Sequence, residues 1–124
     1  MHPDLQAHLD RAALPPDRAR RLVDGLRVLQ QIASKGDRPI TYGEFAELLQ
    51  PGLAPVATAR TLEDIGQFCN QAAWPNVTCF VVSAATGECS AGFSKISSDD
   101  PGVARDAAWL SYAAYKNAPL VDQP

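Results

Sequence analysis

Between Pro16 and Gly36 the apolar residues Leu22, Leu26, Leu29 and Ala33 recur at helical spacing, with Val23 and Ile32 beside them. This is the longest amphipathic block in the chain. A helix of that length with one apolar stripe must bury the stripe against other elements, so it sets the plan around which a small domain is built. Punctuation on either side supports the boundaries. Pro15-Pro16 interrupts any helix arriving from the N-terminus, and Gly36 suits a C-terminal cap. Before it, Pro3 to Ala13 reads as a short first helix, and residues 1–15 are expected to form a loosely held arm.

After Gly36 the segments shorten. "RPITYGEFAELLQPG" reads as an extended entry from Pro39 to Thr41 and a helix from Tyr42 to Gln50, closed by Pro51-Gly52. A further helix from Val56 to Gln71 carries Leu62, Ile65, Cys69 and Ala72 as its buried stripe. Two helices joined by a Gly/Pro turn are the outline of a helix-turn-helix. Val77 to Ser83 is rich in β-branched and aromatic residues, and alternation would place Val77, Cys79 and Val81 on one side and Thr78, Phe80 and Val82 on the other. With the turn at Thr86-Gly87 and the run "SAGFSKI" it is expected to form a β-hairpin. The last helix follows Ser97 to Asp100 as capping candidates and Pro101 at the first turn. Its apolar stripe is Val103, Ala107, Leu110 and Ala114, and Trp109, Tyr112 and Tyr115 add aromatic mass as core or as a docking face. The expectation is a single α+β domain over residues 1–124 of winged helix-turn-helix type, with a small β-hairpin wing, a C-terminal helix and a winged-helix core at 39–96.

Several function classes find no support. The chain has 124 residues, a net charge of −3 and a pI near 5.2, unlike a protein that coats phosphate backbones with clustered Lys and Arg. No run approaches the ~18 apolar residues of a membrane span and the start has no secretory signal, so a cytoplasmic protein without membrane contact is expected. Cys69, Cys79 and Cys89 lie at intervals of ten with no CxxC pair, and the two histidines, His2 and His8, lie far from them on what reads as a solvated helix. No metal or cofactor is expected from that pattern. There is no Ser-His-Asp set, no Walker A run and no GxGxxG. Asn76-Val77-Thr78 matches a glycosylation sequon, read as accidental.

"ITYGEFAELL", "ATARTLEDI" and "NVTCFVVSAATGECSAGF" together resemble the C-terminal winged-helix domain of the O6-alkylguanine-DNA alkyltransferases and of the alkyltransferase-like proteins, over about residues 39–93. By position Tyr42 corresponds to the family tyrosine, Arg60 to the arginine that replaces a flipped base, and Cys79 to the reactive cysteine. The resemblance implies DNA binding by the second helix of the pair. It does not extend to the thiol chemistry: the family's His-Arg pair after the cysteine is replaced here by Phe80 and Val81, and a cysteine with pKa near 8.5 needs such a neighbour to react at neutral pH. Alkyltransferase-like proteins lack the cysteine and keep the DNA-binding surface. The spacing of "FCNQAAWPNVTCFVVSAATGECSAGF" is also similar to small winged-helix proteins of bacteria and their mobile elements that have no settled activity.

Charge separates the partners. Residues 1–38 hold seven basic and five acidic residues, whereas residues 39–124 hold four basic and nine acidic, a net of −5. Glu63 and Asp64 beside Arg60 would bring carboxylates towards phosphates, and the wing offers only Lys95. Gln67 or Asn70 could still read adenine. The expectation is therefore a non-enzymatic binding protein with an acidic recognition surface that docks on a basic protein of nucleic-acid machinery, such as a phage- or plasmid-encoded inhibitor of a defence system of the anti-CRISPR kind. Its surface would comprise Tyr42, Arg60, Glu63, Asp64, Gln67 and Lys95. The alternative is DNA itself, bound by an alkyltransferase-like damage sensor or a small transcriptional regulator.

Overall fold

The computed structural model describes residues 1–89, 93, 100–113 and 118–123. Its helices are α1 (Pro3–Ala12), α2 (Pro16–Lys35), α3 (Tyr42–Leu49), α4 (Pro55–Ala72) and α5 (Pro101–Tyr112), with a 3-10 turn at Val77–Phe80 and the short strands β1 (Ile40–Thr41) and β2 (Val81–Val82). The α2 stripe is buried as its spacing requires: Leu22, Leu26 and Leu29 are fully enclosed. Around it pack α3, α4, α5 and the 3-10 turn. None of the described helices is long and apolar enough to cross a membrane.

Local chemistry explains the boundaries. Pro16 opens α2, where a missing N–H costs nothing, and Gly36 closes it at φ 69°, a left-handed conformation that glycine adopts freely. Thr41 and Glu44 form a capping box at the start of α3: the Glu44 amide donates to Thr41 Oγ1 at 3.2 Å, and the Thr41 amide donates to Glu44 Oε1 at 3.1 Å. Asp100 caps α5 by accepting from the Val103 amide, with Pro101 following.

Three helices approach one another closely at Gly25 of α2. A Cβ built there would lie 2.8 Å from Ile65 Cδ1 of α4 and 3.1 Å from Phe45 Cζ of α3. The glycine thus lets two helices pack on the same point of a third.

The strand expected at Val77–Ser83 is mostly not a strand. Val77–Phe80 winds into the 3-10 turn and only Val81–Val82 extends. The Asn76 side chain drives this by accepting from the Thr78 amide at 3.2 Å and from Thr78 Oγ1 at 2.6 Å, a local bond that competes with the sheet. Alternation also had no two faces to separate, because Val77, Thr78, Cys79, Phe80 and Val81 are all buried among helices. β2 pairs in parallel with β1, Ile40 with Val81 and Thr41 with Val82. A single antiparallel bridge joins Val82 to Cys89 across the turn at Gly87. The run "SAGFSKI", the capping candidates Ser97 to Asp99, Ala114 and Tyr115 lie outside the described residues apart from Phe93, which is buried. The structure is thus mainly helical with a small parallel sheet.

Two further expectations change. Residues 1–15 pack on the body: Leu5 is fully buried, Trp74 Nε1 donates to Asp4 at 3.2 Å, and the His2 amide donates to the Val121 carbonyl at 2.8 Å. The histidines do not decorate a solvated face. His2 Nδ1 accepts from the Asp4 amide as the cap of α1, and the His8 ring lies 5.1 Å from that of Phe68 with only 9% of the residue exposed.

Burial and the nearby Arg11 depress the His8 pKa below its usual 6.5, against the opposing effects of Asp64 and Gln71. The unfolded chain then binds a proton more readily than the native one, so this contribution is complete above pH 6.5 and is lost as pH falls through the lower native value. Glu44 and Asp122, depressed from lower starting points, release their contributions only at more acid pH. Urea midpoints measured from pH 7.5 to 5 should therefore decline for the parent protein and stay nearly level for His8→Gln. Parallel curves would remove His8 as the source.

Candidate functional site

Helix α4 turns two unlike faces outward and inward. Thr58, Thr61, Leu62, Ile65, Phe68 and Cys69 face the core, whereas Val56, Arg60, Gln67 and Asn70 are exposed along one stripe, with Glu63 half-buried within it. Their spacing of three and four residues is that of one helix face. Arg60, Glu63 and Gln67, expected to act together, therefore do share a surface. Tyr42 begins α3 and is half-buried against the core. Lys95 lies outside the described residues.

Asp64 does not belong to that surface. It sits on the flank of α4 towards α2, 9% exposed, and takes a bidentate grip from Arg18: Nη2 donates to Oδ1 at 2.9 Å and Nε to Oδ2 at 3.1 Å. That pair pushes the Arg18 pKa further up. A carboxylate directly after Glu63 in a polar stretch reads as surface in sequence, and its partner lies 46 positions away, so no local signal marked it. Around the pair, His8, Arg11, Leu14, Gln67 and Gln71 line a shallow cleft of about 240 Å³.

The turn between α3 and α4 carries exposed apolar residues on both sides. Leu48 near the end of α3 is 61% exposed and Val56 at the start of α4 is 74% exposed. Glu44 and Glu47 stand exposed beside Leu48 on α3. The α3–turn–α4 segment, residues 42–72, contains one cation, Arg60.

Cys79 packs inside the core. It is fully buried, and burial, reinforced by the neighbouring Cys89, pushes its thiol up to about 12 against the opposing field of Arg105. Cys69 is likewise pushed up to about 12 by burial. At neutral pH both are thiols, and the thiolate is the nucleophile. Arg105 is engaged elsewhere: Nε donates to the Cys79 carbonyl at 2.7 Å and Nη2 approaches Cys89 Sγ at 3.1 Å. The guanidinium thus ties α5 to the backbone of the buried turn. Cys89 is half-buried, and its pKa is raised by burial more than Arg105 lowers it. No group of three or more His, Cys, Asp or Glu that could hold a metal occurs among the described residues.

A second arrangement missed in the sequence is Gln30, 4% exposed on the apolar face of α2. Its Nε2 donates to the Pro119 carbonyl at 3.0 Å and to Tyr112 Oη at 3.3 Å, while Oε1 accepts from the Val121 amide at 3.0 Å. A signal was present: Gln30 stands four residues after Leu26 and eight after Leu22, in the buried register.

Two outcomes test this site. Removing Arg18 leaves a nearly buried carboxylate alone, whereas removing Asp64 leaves an arginine able to reach water. Arg18→Ala should therefore cost about 3 kcal/mol in denaturant unfolding and Asp64→Asn about 1 kcal/mol, with equal costs counting against the assignment. In a thiol titration with a chromogenic disulfide at pH 7.5, Cys89 should react first and Cys69 and Cys79 only after unfolding. Early labelling of Cys79 would reopen the question of a reactive thiol. Comparison of the chain with protein-family models, with curated proteins and with solved structures found no match.

Proposed function

We propose that the protein acts by binding rather than catalysis, through the outward face of α3 and α4 used in the manner of a winged-helix domain, and that its partner is a basic protein of nucleic-acid machinery. The observation that carries this reading is the pair of exposed side chains, Leu48 and Val56, on either side of the α3–α4 turn with Glu44 and Glu47 beside them. Protein interfaces concentrate affinity in a few apolar anchors within a polar rim. A DNA-reading surface instead surrounds its base contacts with several phosphate donors, and this one supplies Arg60. An acidic rim favours partners with clustered Lys or Arg and disfavours duplex phosphate. A small protein with such a surface suits the role of an inhibitor that occupies the nucleic-acid groove of a defence enzyme.

A second reading rests on the withdrawal of Asp64. With that carboxylate held by Arg18, the α4 stripe presents Arg60, Gln67 and Asn70 with less repulsion than the sequence implies. This supports an alkyltransferase-like DNA reader.

The decisive comparison is between labelled duplex DNA, with and without an O6-alkylguanine, and a basic protein captured from a cell lysate and then purified. Under the first reading the purified partner binds the parent chain, binding weakens at least tenfold in Leu48→Asp and Val56→Asp, and DNA is not bound at low salt. DNA binding that falls steeply with salt and disappears in Arg60→Ala would replace it with the second.

A further inference from the structure

Helix α1 lies along the C-terminal half of α4 and leaves a groove between the two. Polar ties close the groove at both ends: Trp74 Nε1 donates to Asp4 at 3.2 Å at one, and Arg18 grips Asp64 at 2.9 Å and 3.1 Å at the other. Between the ties two clefts of about 240 Å³ and 230 Å³ open side by side, sharing His8, Arg11 and Gln71 in their walls. His8 and Arg11 stand three residues apart on α1, and Gln67 and Gln71 four apart on α4, so each pair occupies one helix face. His8 is the buried member of the set, and Arg11, Gln67 and Gln71 are exposed around it. Walls fixed at both ends hold these groups in place before any ligand arrives.

Charge separates the two clefts. In the larger, Arg11 and Arg18 stand against Asp64, which leaves one positive charge in excess, whereas in the smaller Arg11 stands against Asp4 and nothing is left over. Asp64 already accepts two hydrogen bonds from Arg18, so it offers little repulsion to an incoming anion. Arg18, Arg20 and Arg27 each pair with an aspartate, but among the described residues no carboxylate pairs with Arg11. We infer that the larger cleft binds a small oxyanion, a carboxylate or a phosphate ester, clasped by the Arg11 guanidinium and the side-chain amides of Gln67 and Gln71 over the His8 ring. The guanidinium fork matches two oxygens of such a group, and each carboxamide adds N–H donors. A cleft of about 240 Å³ has the volume of about eight waters at their ~30 Å³ share of the liquid, which suits a compact acid or a phosphate with a short substituent.

His8 gives the site a pH dependence. The charged groups around it are Asp4 and Arg11 on α1, Arg18 on α2 and Asp64 on α4. Burial first and Arg11 second hold its pKa below 6.5. An anion seated on Arg11 cancels that cation and adds negative charge beside the imidazole, so it raises the His8 pKa. By linkage, protonation of His8 then strengthens anion binding to the same extent, and affinity rises as pH falls through the value of the free protein.

Titration of the whole chain with acetate and with sulfate, followed by nuclear magnetic resonance at fixed ionic strength, tests the site. At least one of the two should saturate, with shifts gathered at the side chains of Arg11, Gln67 and Gln71, and the tighter of them identifies the carboxylate or the phosphate-like class. Arg11→Ala, at an exposed position, should keep the circular dichroism of the parent and weaken binding about tenfold, the loss expected for a charge-assisted hydrogen bond. Lys35→Ala, which removes an exposed cation at the far end of α2, should bind as the parent does, and so should Leu48→Asp and Val56→Asp. Sulfate, whose charge stays fixed, should bind about threefold more tightly at about pH 5.5 than at about pH 7.5, and His8→Gln should remove the difference. A duplex oligonucleotide that displaces sulfate and needs Arg11 would assign the anion to a nucleic-acid phosphate, and one that does not displace it would assign a free small molecule. Absence of saturation by either anion, shifts spread evenly over Arg11, Arg20, Lys35 and Arg38, or binding that survives Arg11→Ala would overturn the inference. The site does not rest on the function proposed above, which is read at Leu48 and Val56.

Discussion

The rest of the fold depends on the crossing at Gly25. Ile65 of α4 and Phe45 and Leu49 of α3 all approach the space where a side chain would stand. A glycine inside a helix costs roughly 1 kcal/mol relative to alanine, yet here it removes the clash that would hold α3 and α4 away from α2. Larger residues would force the surrounding core to shift, at a typical cost of about 1 to 3 kcal/mol. Through this contact the longest helix fixes the positions of both helices that form the proposed binding face. The angle at which α4 presents Arg60, Glu63 and Gln67 is therefore set from the opposite side of the helix.

Polar groups then lock what the apolar contacts place. Arg18 and Asp64 join α2 to α4, Gln30 joins α2 to Tyr112 and to the backbone of residues 119–121, and Arg105 joins α5 to the turn at Cys79. Each bond spans more than twenty positions in the chain and satisfies a group that burial would otherwise penalise. Arg27, which grips Asp122 at 2.8 Å and Asp24 at 3.2 Å, is more exposed and contributes less. Arg18 and Arg27, two of the seven basic residues in the N-terminal third of the sequence, are thus engaged in internal pairing.

Helices were legible where two signals agreed. α2 and α4 carry both a buried period and a breaker at each end, and their boundaries in the structure fall within a residue or so of those signals. Val77 to Phe80 carried one signal, β propensity, and Asn76 together with burial on all sides overrode it. α5 shows the complementary failure. Its period correctly marks a helix, but period cannot say which of two apolar faces turns inward, and the stripe of Val103, Ala107 and Leu110 turned out. In the candidate site, Arg60, Glu63 and Gln67 could be grouped by spacing alone. Asp64 could not be separated from them, because the arginine that withdraws it is distant in sequence.

That withdrawal changes how the surface should be weighed. Formal charge treats Glu63 and Asp64 alike, but a carboxylate held by two donated hydrogen bonds projects little field to solvent, whereas Glu44 and Glu47 lie exposed on α3. The acidic character of the proposed binding face therefore comes mainly from α3 rather than from α4. A partner's basic groups would meet the α3 side, and the α4 stripe would supply contact through Val56 and the amides of Gln67 and Asn70. The face is split between an electrostatic half that governs approach and an apolar and amide half that governs residence. On that division, charge changes on α3 should act through the rate of association, and truncation at Val56 through the rate of release.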